Sequence, residues 1–312
     1  MNTLTLSAPA KVNLSLRILG KLENGYHEME SFMQSVSLCD TVTVSWEPLN
    51  NAEEEDLAVT LDPGRSDLPS GRDNIAFRAA EAMHREFHAG KRDNIDIKIQ
   101  KKIPVAAGLA GGSADGAAVI AALALLWGLA ERRENGYLEC SAVTLEKLRS
   151  VAASIGSDLP FCLMNHFGVS AAVATGTGTK IEKAESVSCT LALVTPGTAV
   201  STKAVYGELS PADYKAESNI SASKLCVASS LKEKIKSMGN DLAKPALRLF
   251  PSIADTLREL ENLSEKPLYV QLSGSGPTCF ALYEPGRRPD EEELAKIAEK
   301  CSGSRVICAA NR

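Results

Sequence analysis

"PVAAGLAGGSADGAAVIAALALLWGL", Pro104–Leu129, sets glycines, small residues and two polar side chains directly ahead of an alanine- and leucine-rich run. After Ser113, the residues Ala117, Ile120, Ala121, Ala124 and Leu125 recur at helical spacing, which predicts a helix with the glycines at its N-terminus. There the first backbone N–H groups have no intrahelical partner and the helix dipole is positive, an arrangement that suits phosphate. Gly108, Gly111 and Gly112 would let the backbone come close to phosphate oxygens. Ser113 adds a hydroxyl, and Ser113 or Asp115 is a candidate cap. The run carries neither the Gly-Lys-Ser/Thr of a Walker A loop nor the GxGxxG of a dinucleotide site. On glycine content alone, close packing of the helix explains the stretch as well as a phosphate does.

Upstream, "LTLSAPAKVNLSLRIL" and "DTVTVSWEP" alternate as strands, with the turn-rich "GKLENGYHEMES" between them. "NNAEEED" and "DPGRSDLPSGRDN" read as solvated loops. A helix is expected from Asp73 or Asn74, because Ile75, Ala79, Ala82 and Met83 share a face, and "NIDIKIQKKIP" is a strand by strict alternation. Downstream, "TLEKLRSVAASIG" predicts a helix, "LPFCL" is expected to lead into a strand, and "CTLALVTPG" is a strand. "NDLAKPALRLFPSIADTLREL" predicts one helix, followed by the strand pair "PLYVQLSG" and "TCFALYEP", the helix "DEEELAKIAEKC" and the strand "SRVICAA". Strands and helices mix without regular βαβ alternation, so the expected class is α+β.

The 312 residues suffice for two domains, and the expected boundary divides 1–168 from 169–312. A formal charge of −5 gives no electrostatic footprint for nucleic acid or an anionic membrane. The apolar run Ala117–Ala130 is short for a membrane span, and the first residues alternate instead of forming a signal peptide. Eight scattered cysteines without a CxxC pair predict reduced thiols in a cytoplasmic protein. His84 and His88 stand four apart on a helix, but no third ligand and no HExxH accompany them, so no metal site is expected. His166 carries no signal.

Two further stretches bear on the glycine loop. In "APAKVNLSLRILGKLENGYHEMES", Lys11 and Asn13 project from one face of a strand, and Gly25-Tyr26-His27 follows in a turn. In "SIGSDLPFCL", Asp158 is either a helix cap, a turn residue or a functional carboxylate. Taken singly, an exposed strand lysine and a turn aspartate are the plainer readings.

Together, "PAKVNLSLRILGKLENGYHEME", "IPVAAGLAGGSADGAA", "IGSDLPFCL" and "LSGSGPTCFALY" resemble the successive motifs of the GHMP kinase superfamily. The resemblance runs in order from Ser7 to Tyr283. "GYH" after "PAKVN" is its most specific piece and is similar to the members that act on a cytidine diphosphate-linked methylerythritol. "DNIAFRAA", "STKAVY" and "NDLAKPALRLFP" also resemble family segments.

The resemblance implies an N-terminal domain of the ribosomal protein S5 domain 2 type and a ferredoxin-like C-terminal domain, with ATP and substrate in the cleft between them. It implies Mg²⁺-dependent transfer of the ATP γ-phosphate to the 2-hydroxyl of that acceptor, in non-mevalonate isoprenoid precursor synthesis. It assigns Asp158 as general base and Lys11 as its partner. Gly108, Gly111, Gly112 and Ser113 become the phosphate cradle, with Pro104 in the same loop, Lys101 reaching the nucleotide and Asn74 near the adenosine. Tyr26 and Tyr206 stack on the cytosine, His27 and Asn13 give directional hydrogen bonds, and Gly274 and Gly276 form a second tight turn; a simple hairpin explains that turn equally well. The implied partner is a small molecule, and the implied state a monomer or weak homodimer.

Ala110, Ala114 and Gly116 depart from the fuller glycine and serine run of the family, and Ala243 stands where an acidic residue is usual. The alternatives are a GHMP kinase acting on mevalonate, homoserine or a sugar, and a catalytically silent nucleotide-binding regulator of the same fold.

Overall fold

The computed structural model describes residues 1–49, 56–214 and 221–309, with side chains through residue 304. Residues 50–55 of the expected "NNAEEED" loop lie outside the described residues. The chain forms two compact units, each assembled from separate stretches.

The first unit comprises Met1–Ala10, Cys39–Ile103 and Ala110–Val169. It takes the start of β1 (Asn2–Lys21), the end of β2 (His27–Pro48), and β3 (Leu57–Asp62), α1 (Ile75–Phe87), β4 (Asp93–Gln100) and α2 (Gly111–Leu126). The short β5 (Glu131–Arg132) and β6 (Leu138–Glu139), then α3 (Ala142–Ile155) and α4 (Leu159–His166), complete it. The end of β2 runs antiparallel to β4, and β3 lies parallel on the other side of β4. The alternation of "NIDIKIQ" buries Ile95, Ile97 and Ile99 on one face, opposite Val42 and Val44 of β2. α2 is apolar on every side, which fits a central helix, and it packs against α1, α3 and α4.

α1 starts where its cap predicts. Asn74 Oδ1 accepts the Ala76 N–H at 2.9 Å, a contact worth about 1 kcal/mol. Its C-terminal turn carries His84 and His88 into a buried cluster. Asp93 accepts Trp46 Nε1–H at 2.7 Å and pairs with His88 Nδ1 at 2.8 Å, while His88 stacks on Trp127 at 3.8 Å. Both histidines are therefore engaged in packing and in pairing with Asp93 and the Lys91 carbonyl.

Burial, with Arg132 nearby, pushes the His166 imidazole down to about 4, and its Nε2 has no partner among the described residues. The unfolded chain therefore binds this proton more readily than the native one, and His166 makes stability fall as pH drops from about 6.5 toward 4. Thermal melts at pH 7 and pH 5 should show a loss of several degrees in Tm that His166→Gln reduces. An equal loss in both proteins would contradict the assignment.

The second unit comprises Lys11–Leu38, Pro104–Leu109 and Ser170–Arg312. The start of β2 pairs antiparallel with β7 (Ala171–Gly176), which forms a hairpin with β8 (Lys180–Lys183). The Gln34 amide clasps Val187 through both its oxygen and its nitrogen. β9 (Thr190–Thr195) leads to α5 (Thr202–Gly207), α6 (Ala222–Val227), α7 (Leu231–Ile235) and β10 (Gly239–Asn240), which lies parallel to β1 at Ser15 and Leu16. Next come α8 (Ala243–Leu249), α9 (Ser252–Glu261), β11 (Tyr269–Leu272), β12 (Cys279–Tyr283), α10 (Glu291–Lys300) and β13 (Ser304–Ala309). Four of these strands form an antiparallel sheet in the order β11-β12-β9-β13, with α9 and α10 packed on it. The class is α+β, as expected. Among the described residues, no helix is long and apolar enough to cross a membrane. Cys162, Cys189 and Cys279 are buried free thiols, and the Cys308 side chain lies outside the described residues.

Four expectations need correction. β2 begins at His27, so the turn shrinks to residues 22–26 and the strand expected at 40–48 is the end of a longer one. "LPFCL" does not lead into a strand but starts α4, with Pro160 in the first turn, where a missing N–H costs nothing. The helix expected over 240–260 is two, α8 and α9, interrupted at Phe250-Pro251 because a proline disfavours helical geometry in the residue before it. α2 begins at Gly111, and its cap is Ala110, not Ser113 or Asp115.

Candidate active site

In the first unit, the glycine loop meets α2 through a left-handed residue, Ala110 at φ +57°, with no side-chain cap. Such a conformation favours glycine and costs another residue roughly 1–2 kcal/mol. Ala110→Gly should therefore raise stability by about 1 kcal/mol in urea titrations; no gain would contradict the strain. The glycines here divide by role. A Cβ on Gly116 would stand 2.8 Å from Ile75 Cγ2 and 3.3 Å from Leu159 Cδ2, so this glycine admits α1 and α4 against α2. A Cβ on Gly111 would stand 3.0 Å from Ile103 Cγ2. Gly112 is exposed at the helix start beside half-buried Ser113, where the first N–H groups lack intrahelical partners, and a Cβ on it would stand 3.3 Å from Ile75 Cδ1.

Lys101 is not free-standing. Its Nζ donates to Asp40 and, at 2.7 Å, to Asp115 Oδ2, while Asp40 also accepts the Lys102 and Ile103 N–H groups. Against the burial that would lower it, Asp115 and Asp40 raise the lysine, which stays an ammonium. One ammonium serves two carboxylates, and Asp115 is the less well supplied. Burial first, then Asp40, outweigh Lys101 and hold it well above the usual carboxylate range. Lys101 thus ties the end of β4 to the first turn of α2. Asn74 is likewise committed, with Oδ1 on the α1 cap and Nδ2 on the Pro69 carbonyl at 2.9 Å. Asp158 stands half-buried at the start of α4, and its side chain makes no cap hydrogen bond there.

In the second unit, Lys11 is 4% exposed. Its Nζ donates to Asn13 Oδ1 at 2.8 Å and to the Gly108 carbonyl at 3.3 Å. Asn13 Nδ2 donates to Ser31 Oγ at 2.8 Å, and Ser31 Oγ donates to the Ser15 carbonyl at 2.6 Å. The period-two spacing of Lys11 and Asn13 on β1 makes this alignment possible. Ser273 Oγ donates to the Gly108 carbonyl at 3.2 Å, and Asn240 Nδ2 holds the Leu272 and Gly274 carbonyls. A Cβ on Gly108, at φ +74°, would lie 2.6 Å from the Ser273 carbonyl and 2.8 Å from that of Gly276. A Cβ on Gly274 would lie 3.3 Å from Asn13 Oδ1 and 3.7 Å from Lys11 Nζ. The 273–276 turn is therefore a hairpin connection that also backs the lysine. Pro104 opens the loop stretch that carries Gly108.

His27 is buried, with its ring centroid 5.3 Å from Tyr206 and 5.9 Å from Tyr214. Tyr26, the next residue back, is 64% exposed. The second unit thus groups Lys11, Asn13, Gly108, Gly274 and Gly276, and separately His27 with Tyr206. The first groups Lys101 with the α2 start. Asp40, Ser31, Ser273, Asn240 and Tyr214 were not singled out from sequence. Asn240 and Ser273 lie within the segments "NDLAKPALRLFP" and "LSGSGPTCFALY".

Residues 74–166 match the family description "GHMP kinases N terminal domain", and residues 222–304 match "GHMP kinases C terminal". The 4-diphosphocytidyl-2-C-methyl-D-erythritol kinase of Geobacter sulfurreducens is 33% identical over 313 residues, covering 100% of this chain and 99% of that protein. The one of Caldanaerobacter subterraneus is 32% identical over 301 residues, covering 96% and 93%. A crystal structure of 4-(cytidine 5'-diphospho)-2C-methyl-D-erythritol kinase superposes with a TM-score of 0.71 at 26% identity, covering 99% of this chain and 100% of that one. Homoserine kinase from Cytophaga hutchinsonii shares the fold, with a TM-score of 0.65 at 17% identity, covering 100% and 95%. Two family domains and full-length relatives agree: the chain belongs to the GHMP kinases, in the 4-diphosphocytidyl-2-C-methyl-D-erythritol kinase family.

Proposed function

We propose that this chain transfers the γ-phosphate of ATP to the 2-hydroxyl of 4-diphosphocytidyl-2-C-methyl-D-erythritol, releasing ADP, in non-mevalonate isoprenoid precursor biosynthesis. The observation that carries the reading is the buried Lys11 ammonium, fixed by Asn13 and the Gly108 carbonyl and backed by the glycine turn at Gly274. A buried charge needs such partners, and they hold the ammonium at one fixed place.

The acceptor oxygen attacks the γ-phosphorus, the bond from that phosphorus to the β,γ-bridging oxygen breaks, and ADP leaves. Asp158 takes the proton of the attacking hydroxyl, and Lys11 orients that hydroxyl and offsets the developing charge. Phosphoryl transfer depends mainly on positioning and electrostatics, so a base, a cation and a cradle supply what the protein must provide. Gly108, Gly111, Gly112 and Ser113 form the cradle, entered through Pro104. Lys101 serves it by anchoring the first turn of α2, and Asn74 by fixing the start of α1 near the adenosine. Mg²⁺ would come with the nucleotide and neutralise phosphate charge. The Ser113 hydroxyl is a hard oxygen donor of the kind this ion takes, and phosphate oxygens and water would complete its shell.

Tyr26 and Tyr206 stack on the cytosine and His27 reads its edge, since a flat base suits aromatic faces. Asn13, engaged at both ends, contributes mainly by orienting Lys11, and Gly274 and Gly276 let the substrate approach it. The protein acts in the cytoplasm as a monomer or weak homodimer.

The test is ADP release with ATP and Mg²⁺ against three acceptors: diphosphocytidyl-methylerythritol, mevalonate and homoserine. Turnover with the first alone is expected. Turnover with mevalonate or homoserine in its place would cancel the cytosine assignments. No turnover with any, while ATP binds, would favour a silent regulator.

A further inference from the structure

We infer that Tyr214 is a positioning residue that fixes the tautomer of His27 and so makes the protein prefer a cytosine-bearing acceptor over a uracil-bearing one. The inference rests on the proposed reading of His27 and Tyr206 as base-binding residues. The Tyr214 hydroxyl lies 3.1 Å from His27 Nε2, and Tyr206 borders the same ring. Tyr214 follows a short turn at Pro211–Asp213 that is itself braced, because Asp213 Oδ2 accepts both the N–H and the hydroxyl of Ser210. The phenol is thus presented to the imidazole by a held backbone.

A neutral imidazole has one N–H and one bare nitrogen, and the bond made by one nitrogen decides which tautomer is present. Burial, with Lys21 adding its positive charge, holds His27 below its usual range, so the neutral ring prevails near pH 7. A phenol O–H is a stronger acid than an imidazole N–H, and a bare imidazole nitrogen is a stronger base than a phenol oxygen. The better arrangement has Tyr214 O–H donating to bare Nε2, which leaves the proton on Nδ1. A fixed donor at Nδ1 matches the acceptors N3 and O2 of cytosine. At the N3 position uracil carries an N–H, so donor would face donor, and a donor left unpaired on binding discriminates strongly.

Two measurements test this. In histidine-labelled free protein, ¹⁵N NMR should find the His27 proton on Nδ1, and Tyr214→Phe should move population toward Nε2–H. In kinetics, Tyr214→Phe should raise KM for the cytidine acceptor about tenfold, as loss of one oriented hydrogen bond does. It should keep kcat within about twofold and shrink the preference over the uridine-linked analogue. A wild-type Nε2–H tautomer, or an unchanged KM and base preference in Tyr214→Phe, would overturn the inference while leaving the kinase reading intact. A wild-type enzyme that accepts both bases equally would remove the reading of His27 and the inference with it. Should the variant fail to fold, the wild-type tautomer alone decides.

Discussion

Asp158→Asn should lower kcat by roughly two to four decades and leave the Kd of a non-hydrolysable ATP analogue nearly unchanged, the usual consequence of removing a positioned general base. The amide keeps the size and one acceptor of the carboxylate but cannot take the hydroxyl proton. Folding should survive, because the amide is isosteric with the carboxylate and the first turn of α4 is shaped by Pro160. Single-turnover rates with saturating acceptor separate this from a binding defect. Turnover within threefold of wild type would remove Asp158 from the chemistry and leave proton transfer to water or to the phosphate itself.

Lys11→Met should cost roughly 10²- to 10³-fold in kcat, the usual loss on removing one fixed group that stabilises transition-state charge. Unlike Asp158→Asn, it should also lower stability, by about 1–3 kcal/mol, because Asn13 Oδ1 and the Gly108 carbonyl lose a donor in a buried place. Lys11→Arg should not restore activity, since a planar guanidinium does not reproduce a compact ammonium against the Gly274 backbone. Rapid-quench rates and urea titrations give the two quantities independently. A stability loss with turnover preserved would make Lys11 a structural residue only.

Much of the fold is written in local patterns. The Ile95-Ile97-Ile99 alternation, the Asn74 cap and the Lys11-Asn13 spacing are visible because each depends on neighbours one to four residues away. The α4 helix is hidden in the sequence because "LPFCL" is too short for periodicity to separate strand from buried helix. The interruption at Phe250-Pro251 carried its own signal in the proline. Lys101 shows the other limit. Its two partners, Asp40 and Asp115, lie 61 and 14 positions away, and only the packing of β2, the end of β4 and α2 brings them together. Tyr214, 187 positions from His27, had no local mark at all. The glycines divide by role: Gly116 serves helix packing, Gly108 a close backbone approach, and Gly112 stands at an exposed helix start close to Ile75.

The most direct measurement is ³¹P and ¹³C NMR of the product formed from ATP, Mg²⁺ and diphosphocytidyl-methylerythritol labelled with ¹³C at the tertiary carbinol. Stoichiometric ADP and one new phosphomonoester are expected, its phosphorus coupled to that labelled carbon. A phosphoryl group on another hydroxyl, or ADP formed with inorganic phosphate and no new ester, would contradict the proposed transfer.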